Sequence, residues 1–329
     1  MGAGSVWFAP RARLAGEECL PEGEKPAPLS TMSAPLHSFI IYGTRDIPHI
    51  RRLLLPSMSR QREVGPRVAH FLNFEENRSH FTADDNVPDV QVVDPSSARP
   101  PGRLGYGGAL NYLFEQVKPP EHFFIINPDT VLAPDFSRLL LGRLAGERVG
   151  IAEARQWPSE HPKEFDPLTF ETPWASGACL AVASRAFDEA GRFDEGFFLY
   201  CEDVDLSWRV WLAGWKVVFV PEALCEHHTG LFVYRDDRFY TEHYYSAVGF
   251  LLLGYKFFGD EGEARALKLF HEAVGYPAAM KQAILDRYHA QKPLVKRVTA
   301  KAAHPRVRIE SYNMYHKTRN DFMTILERG

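Results

Sequence analysis

Three groups of residues in this 329-residue chain have the types and spacing to do chemistry. The first is Glu202-Asp203-Val204-Asp205. A carboxylate that is ionised near neutral pH and within hydrogen-bond reach of a hydroxyl can serve as a general base. The start of a helix helps keep it charged through the helix dipole. Capping alone also accounts for acids in a first turn. It does not account for Phe193, Phe197, Phe198, Leu199 and Tyr200 just upstream, which place the acids at the mouth of a cleft. Asp205 and Arg209, at i, i+4, suit a surface ion pair. The second group is Asn127-Pro128-Asp129, after the apolar run Phe123 to Ile126. Asp129 therefore lies just beyond the carboxyl end of a buried strand, where open α/β sheets bind ligands. A hard divalent cation can be held there by one or two carboxylates while phosphates supply further oxygens, although Asn-Pro-Asp also makes a turn with no metal. The third is His227-His228. Adjacent residues cannot easily face one ion together, so one is a candidate ligand and the other a structural imidazole. Gly105-Tyr106-Gly107-Gly108 can bring backbone close to a phosphate or sugar, or simply form a strand-to-helix turn; it is not the GxGxxG dinucleotide fingerprint.

The elements that must position these groups alternate. Residues 38–42, 68–74, 90–93, 123–126, 149–152 and 177–183 read as strands, with helices over 47–58, 134–144 and 185–190. Val204, Trp208, Trp211 and Leu212 mark a helix stopped by Gly214, and 216–220 reads as a buried strand ended by Pro221. The alternation predicts a mostly parallel sheet covered by helices on both faces. A loop over 155–173 is too long for a simple connector. Residues 239–258 are aromatic and apolar, helical patterns follow near 263–274 and 278–289, and 292–308 is basic.

Composition narrows the class. A 45% hydrophobic, 24% charged chain is globular, and a formal charge of −4 with no basic block disfavours nucleic acid as a partner. Cys19, Cys179, Cys201 and Cys225 form no CxxC and suggest neither a zinc site nor a disulfide framework, which fits a reducing, cytoplasmic setting. No apolar run reaches the ~18 residues of a membrane span, so a soluble protein is expected. Residues 1–36, rich in Pro, Gly, Glu and Ala, read as a disordered extension, and Met32 is a second candidate start. The expected organisation is that extension, a catalytic domain over 37–258 and a helical C-terminal extension over 259–329.

Taken in order, the pieces resemble a family 2 glycosyltransferase of the GT-A fold, nearest the rhamnosyltransferase-like branch. The residues that carry the likeness are 105–111 (GYGGALN), 127–130 (NPDT), 174–180 (WASGACL), Phe193-Asp194-Glu195 and 197–206 (FFLYCEDVDL), with Arg209, Ala213-Gly214, Pro221 and His227. The resemblance implies a nucleoside-diphosphate-sugar donor, UDP- or dTDP-linked, a glycan or lipid-linked acceptor, and a divalent cation, Mg2+ or Mn2+. It makes Asp129 and His227 the metal ligands and Asp203 the base on the acceptor hydroxyl. Thr44, Arg45, Asn73, Glu75, Gly105, Gly108, Asn111, Asn127 and Asp129 fall on the donor side, and Trp174, Gly177 and Glu202 on the acceptor side. Arg103 stands where the family often has Asn, and either Asn73 or Glu75 can be the acid-position residue after the second strand. The Gln-x-x-Arg-Trp motif of processive members is absent, which implies one sugar per event. A metal behind the leaving diphosphate and a base on the opposite face imply inversion. The alternatives are a sugar or nucleotide-sugar binding module without turnover, and a nucleotidyltransferase, whose Gly-rich basic loop Tyr42-Gly43-Thr44-Arg45-Asp46 does not match. The aromatic stretch 239–258 reads as packing or, with Lys292, Lys296, Arg297 and Lys301, as a peripheral contact with the inner face of a membrane.

Overall fold

The computed structural model describes residues 35–100, 104–158, 160, 163–228, 236–273, 276–298 and 304–309. Met32, Cys19, Arg103 and Lys301 lie outside the described residues, as does nearly all of the expected N-terminal extension.

The chain begins with β1 (Leu36–Tyr42), then α1 (Ile47–His49), which runs through a π-helical stretch, Ile50–Leu54, into α2 (Leu55–Ser59). Next come β2 (Arg67–Asn73), β3 (Val90–Val93), α3 (Tyr106–Val117), β4 (His122–Ile126) and the short β5 (Thr130–Leu132). α4 (Phe136–Leu144), β6 (Val149–Trp157), β7 (Cys179–Ala183), α5 (Ser184–Glu189), α6 (Glu202–Leu212) and β8 (Lys216–His227) follow. α7 (Asp236–Glu272) and α8 (Ala278–Gln291) come last, with α7 kinked at Gly259, whose φ is 67°.

The strands form one sheet in the order β3-β2-β1-β4-β7-β6-β8-β5. Neighbours β3, β2, β1 and β4 run parallel, as do β6 and β8; β7 is antiparallel to β4 and β6, and β5 to β8. The mostly parallel expectation holds with two antiparallel members. A parallel neighbour needs a crossover connection, and β7 returns beside β6 from the 158–178 loop, with no helix among its described residues.

Two strands run further than their sequence pattern suggests. β8 continues through Pro221 to His227, because β6 pairs Ala154 with Val220 and then Arg155 with Leu224. Pro221, Glu222 and Ala223 are the bulge between, where a residue without an N–H costs the ladder nothing. β6 correspondingly extends to Trp157 rather than 152, and Gln156 faces Cys225 across the pair.

Each central strand feeds both faces. Phe39 packs with α3, α5 and α6 on one side, and Ile40 with α2 and α4 on the other. The first face also takes the C-terminal helices: Phe250, Leu251, Phe257, Phe270, Ile284 and Tyr288 belong to the same core. The apolar side chains of the 239–258 stretch that can be followed are thus core packing. Lys292 pairs with Glu263 at 2.5 Å and Arg297 with Asp260 at 2.6 Å.

Lys256 on α7 is 2% exposed and reaches Asp205 at 2.5 Å and Asp194 at 2.6 Å, while Arg209 holds Asp205 at 2.5 Å. The Asp205–Arg209 pair exists as its spacing predicts, but Asp205 is fully buried rather than on the surface. Finally, residues 304–309 form a strap over the 163–173 loop. Arg306 donates to Glu171 at 3.2 Å, Arg308 to Glu164 at 2.9 Å, and His304 stacks on Trp211 with ring centres 4.8 Å apart.

Candidate active site

The carboxyl ends of β1, β2, β4, β6 and β8 open on one edge of the sheet, and the start of antiparallel β7 joins them there. Asn127 just past β4 donates its amide to Ala178 O at 2.7 Å, so the Asn-Pro-Asp turn and the Trp174–Gly177 turn meet.

Register supplies the first contact. Thr130 in β5 lies opposite His227 in β8, which sets His227 Nε2 3.3 Å from Asp129 Oδ1. His227 Nδ1 lies 2.7 Å from Gln156 Oε1. With that nitrogen donating, Nε2 presents its lone pair towards Asp129 and towards Asn127 Nδ2, 3.4 Å away. A ring nitrogen fixed by a second hydrogen bond is the usual state of a metal-ligating histidine. His228 turns elsewhere: its Nε2 lies 3.4 Å from Glu226 and its ring centre 5.2 Å from that of His49. Successive residues of an extended chain point to opposite faces, so the pair divides as its adjacency requires. Among the described residues no three His, Cys, Asp or Glu side chains converge on one point. Two protein ligands still suit a hard cation that takes its other oxygens from a diphosphate.

Helix α6 supplies the second contact. Tyr200 and Cys201 both have left-handed backbones, φ 62° and 67°, and turn the chain sharply into the helix. Gly249 on α7 makes room for that turn: a Cβ there would lie 2.6 Å from Cys201 Cβ and 2.9 Å from Tyr200 O. Asp203 is then held by two amides, Gly177 N at 2.9 Å and Val204 N at 2.8 Å. Burial raises its proton affinity and these amides oppose the rise. Glu202 is more deeply buried, and burial followed by the Asp203 charge holds its carboxyl well above the ordinary range. Of the two neighbours, Glu202 keeps the proton and Asp203 carries the charge, since environments that push two acids apart assign their protonation states.

Tyr106 joins the two halves. Its hydroxyl lies 2.9 Å from Asn127 Oδ1 and 3.0 Å from Gly177 O, donating to either. Burial, with acidic groups close by, pushes the phenol well above its ordinary value. Asp203, Gly177, Tyr106, Asn127, His227 and Asp129 are thus linked by close polar contacts. Tyr106 is not among the residues the sequence singles out for the site; the signal for it is a tyrosine at the first position of a helix that the glycines announce.

Other candidates divide. Thr44 donates from its amide and its hydroxyl to Glu75 Oε2, at 2.9 and 2.6 Å, so the ends of β1 and β2 meet with Arg45 exposed beside them. Asn73 is fully buried, and its Oδ1 accepts the amides of Glu75 and Glu76. It shapes the turn, while Glu75 is the exposed acid beside Thr44. Gly105, Gly108 and Asn111 lie against the 193–198 segment. A Cβ at Gly105 would lie 2.5 Å from Phe198 O, one at Gly108 would touch Glu195, and Asn111 brackets Phe193, donating to its carbonyl at 3.0 Å and accepting its amide at 3.1 Å. Gly105 and Asn111 thus seat the 193–198 segment. On the expected acceptor side, Gly177 borders Asp203, whereas Trp174 and Glu202 are buried.

Comparison with known proteins follows this geometry. Residues 165–238 match the family described as glycosyl transferase family group 2. The chain is 39% identical to the N-acetylglucosaminyl-diphospho-decaprenol L-rhamnosyltransferase of Mycobacterium tuberculosis, with the match covering 57% of this chain and 75% of that protein. The chain belongs to glycosyltransferase family 2. It is also similar to the rhamnosyltransferase WbbL of Escherichia coli K12, at 26% identity over 42% of this chain and 64% of that one. The family 2 chain is therefore a rhamnosyltransferase-like glycosyltransferase, and its helix-covered, mostly parallel sheet is of the GT-A type. A solved mannosyltransferase from Pyrobaculum calidifontis, with GDP-Man and Mn2+, covers 91% of this chain and is covered to 85%, at 14% identity and a TM-score of 0.49, too loose a likeness for comparing sites. Among the described residues no helix is long and apolar enough to cross a membrane.

Proposed function

We propose that this glycosyltransferase moves one rhamnosyl-type sugar from a nucleoside-diphosphate donor, dTDP- or UDP-linked, to a hydroxyl of a lipid-linked acceptor, with inversion. The observation that carries the reading is the contact network from Asp203 through Gly177 and Tyr106 to Asn127, His227 and Asp129. It links the Asp203 carboxylate to the Asp129–His227 pair and so supports a base and an ion-holding pair acting on one substrate. The name of the mycobacterial relative supports the sugar and the diphospho-polyprenol class of acceptor.

Chemically, a bond forms between the acceptor oxygen and the anomeric carbon as the bond from that carbon to the diphosphate breaks. The nucleoside diphosphate leaves with the electron pair, and the hydroxyl proton passes to Asp203. A divalent cation held by Asp129 and His227 would neutralise charge on the departing diphosphate. Thr44, Arg45 and Glu75 lie where the nucleoside end would rest. Asp203 does general-base work worth typically ~10²–10⁴-fold. The two amides on its carboxylate fix its direction, and Tyr106 ties its turn to the Asn-Pro-Asp turn. A lipid-linked acceptor would bring the protein to the cytoplasmic face of a membrane.

The test is release of free dTDP or UDP from a panel of donors, with an N-acetylglucosaminyl-diphospho-lipid acceptor, with Mg2+, Mn2+ or EDTA. Turnover with metal, loss in EDTA and an inverted anomer in the product NMR spectrum are expected. No release from any donor would leave a binding module as the correct reading.

A further inference from the structure

Beside the crevice lies a charged cluster that the chemistry above does not use. Glu153 in β6 is fully buried, and Lys163 in the following loop is 3% exposed, with its ammonium against the Glu153 carboxylate. Lys163 Nζ also stands 4.8 Å from the ring centre of Trp174. Glu153 Oε1 accepts the Ser176 amide at 2.8 Å, and the next amide, Gly177, donates to Asp203 at 2.9 Å. Consecutive N–H groups of one turn are therefore divided between two carboxylates. One is buried against a lysine and the other belongs to the base. The Ala175 amide is taken by Ser207 Oγ of α6 at 3.0 Å, so every residue from Ala175 to Gly177 is pinned.

A buried ion pair is weak evidence for stability, because desolvating both partners offsets their attraction. Its placement here points to another role. We propose that Lys163 and Glu153 are positioning residues for Asp203, the pair fixing the turn that aims the Gly177 amide while the Lys163 ammonium offsets negative charge at the Asp203 end of the site. The groups that face Asp203 are Glu202 on its own helix, the Tyr106 phenol from α3, and Lys163 from the loop. Glu153 has Glu160 as a further acidic neighbour. Burial raises the Glu153 carboxyl and the Lys163 ammonium against it opposes that rise; the same charge also favours ionised Asp203. The strap of residues 304–309 holds the loop that carries Lys163, through Arg306 to Glu171 and Arg308 to Glu164. The catalytic part of this inference rests on Asp203 being the base of the proposed transfer.

The test titrates Asp203 directly, by carbon-13 NMR of protein labelled at aspartate carboxyls, with Asp203→Asn identifying the resonance. Removing a cation that favours the charged carboxylate should raise the Asp203 midpoint in Lys163→Met. Lys163→Arg should restore it. The double variant Lys163→Met/Glu153→Gln removes both charges but keeps an acceptor for the Ser176 amide. It should fold and show the same rise, which keeps the test open if the single variant is unstable. A midpoint unchanged in both overturns the proposal. In turnover assays the acid limb of the pH–rate profile should move with the midpoint. A wild-type protein that titrates as described but transfers no sugar would sink the transferase reading and leave the positioning of Asp203 standing.

Discussion

Glu202 and Asp203 are chemically almost the same group, yet one holds a proton and the other a charge. Glu202 is buried against the Asp203 charge, whereas Asp203 has two amides to stabilise its ionised form. A protonated glutamate and a glutamine present nearly the same surface. Glu202→Gln should therefore retain most activity, and Asp203→Asn should lose about 10²–10⁴-fold in single-turnover rate. Comparable losses in both variants would contradict the division of labour. The sign of the pH effect follows from the same environment. Asp203 works ionised and its proton affinity is raised by burial, so the rate should fall as pH drops through a midpoint above that of an ordinary aspartate. On the other side of the crevice, Gln156 is the partner that orients His227. Gln156→Ala should weaken Mn2+ binding by roughly 10–100-fold, read by titration of the ion against the variant.

At the scale of elements, the site depends on how α6 is entered. Two non-glycine residues with left-handed backbones cost on the order of 1–3 kcal/mol each, and α7 passes against them only because position 249 has no side chain. Gly249→Ala should lower the melting temperature and reduce turnover together, since Cys201 must shift and α6 moves with it; calorimetry beside an activity assay checks this. The acids, the Asn-Pro-Asp turn and the histidine could be read from the sequence because each sits at the end of an apolar run whose period announces the element. The antiparallel placement of β7, the bulge at Pro221 and the extension of β8 to His227 could not. They depend on pairings between strands far apart in the chain, and a local rule reads proline as an end. The contacts of Asn73 and Asn111 are illegible for a related reason: a turn-making or bracketing amide and a ligand-binding amide are the same residue type until their partners are known.

At the scale of the molecule, buried charge and buried imidazole hold the layers together. Lys256 ties α7 to Asp205 at the start of α6 and to Asp194. Lys256→Met leaves Asp194 without its cation and Asp205 with Arg209 alone, and breaking such a buried pair typically costs about 3–5 kcal/mol; urea unfolding should show it. His70, buried in β2 with its Nε2 3.0 Å from His37 Nδ1, is pushed down to about 3 by burial and by that neighbour. The fold holds it neutral while the unfolded chain protonates it near the ordinary value of about 6.5. Its stabilising effect is complete above that pH and lost progressively towards 3, by up to tenfold in the folding equilibrium per pH unit. Denaturation at pH 7 and pH 4.5 should reveal the loss, and His70→Phe should reduce it. The strap has a consequence in time. Glu164 and Arg308 are 144 residues apart, so at about 5–20 residues per second a ribosome makes the loop roughly 7–30 seconds before the arginine that clasps it. A nascent chain can own all its acids and its imidazole during that interval while the lysine beside the base is still on an unfastened loop.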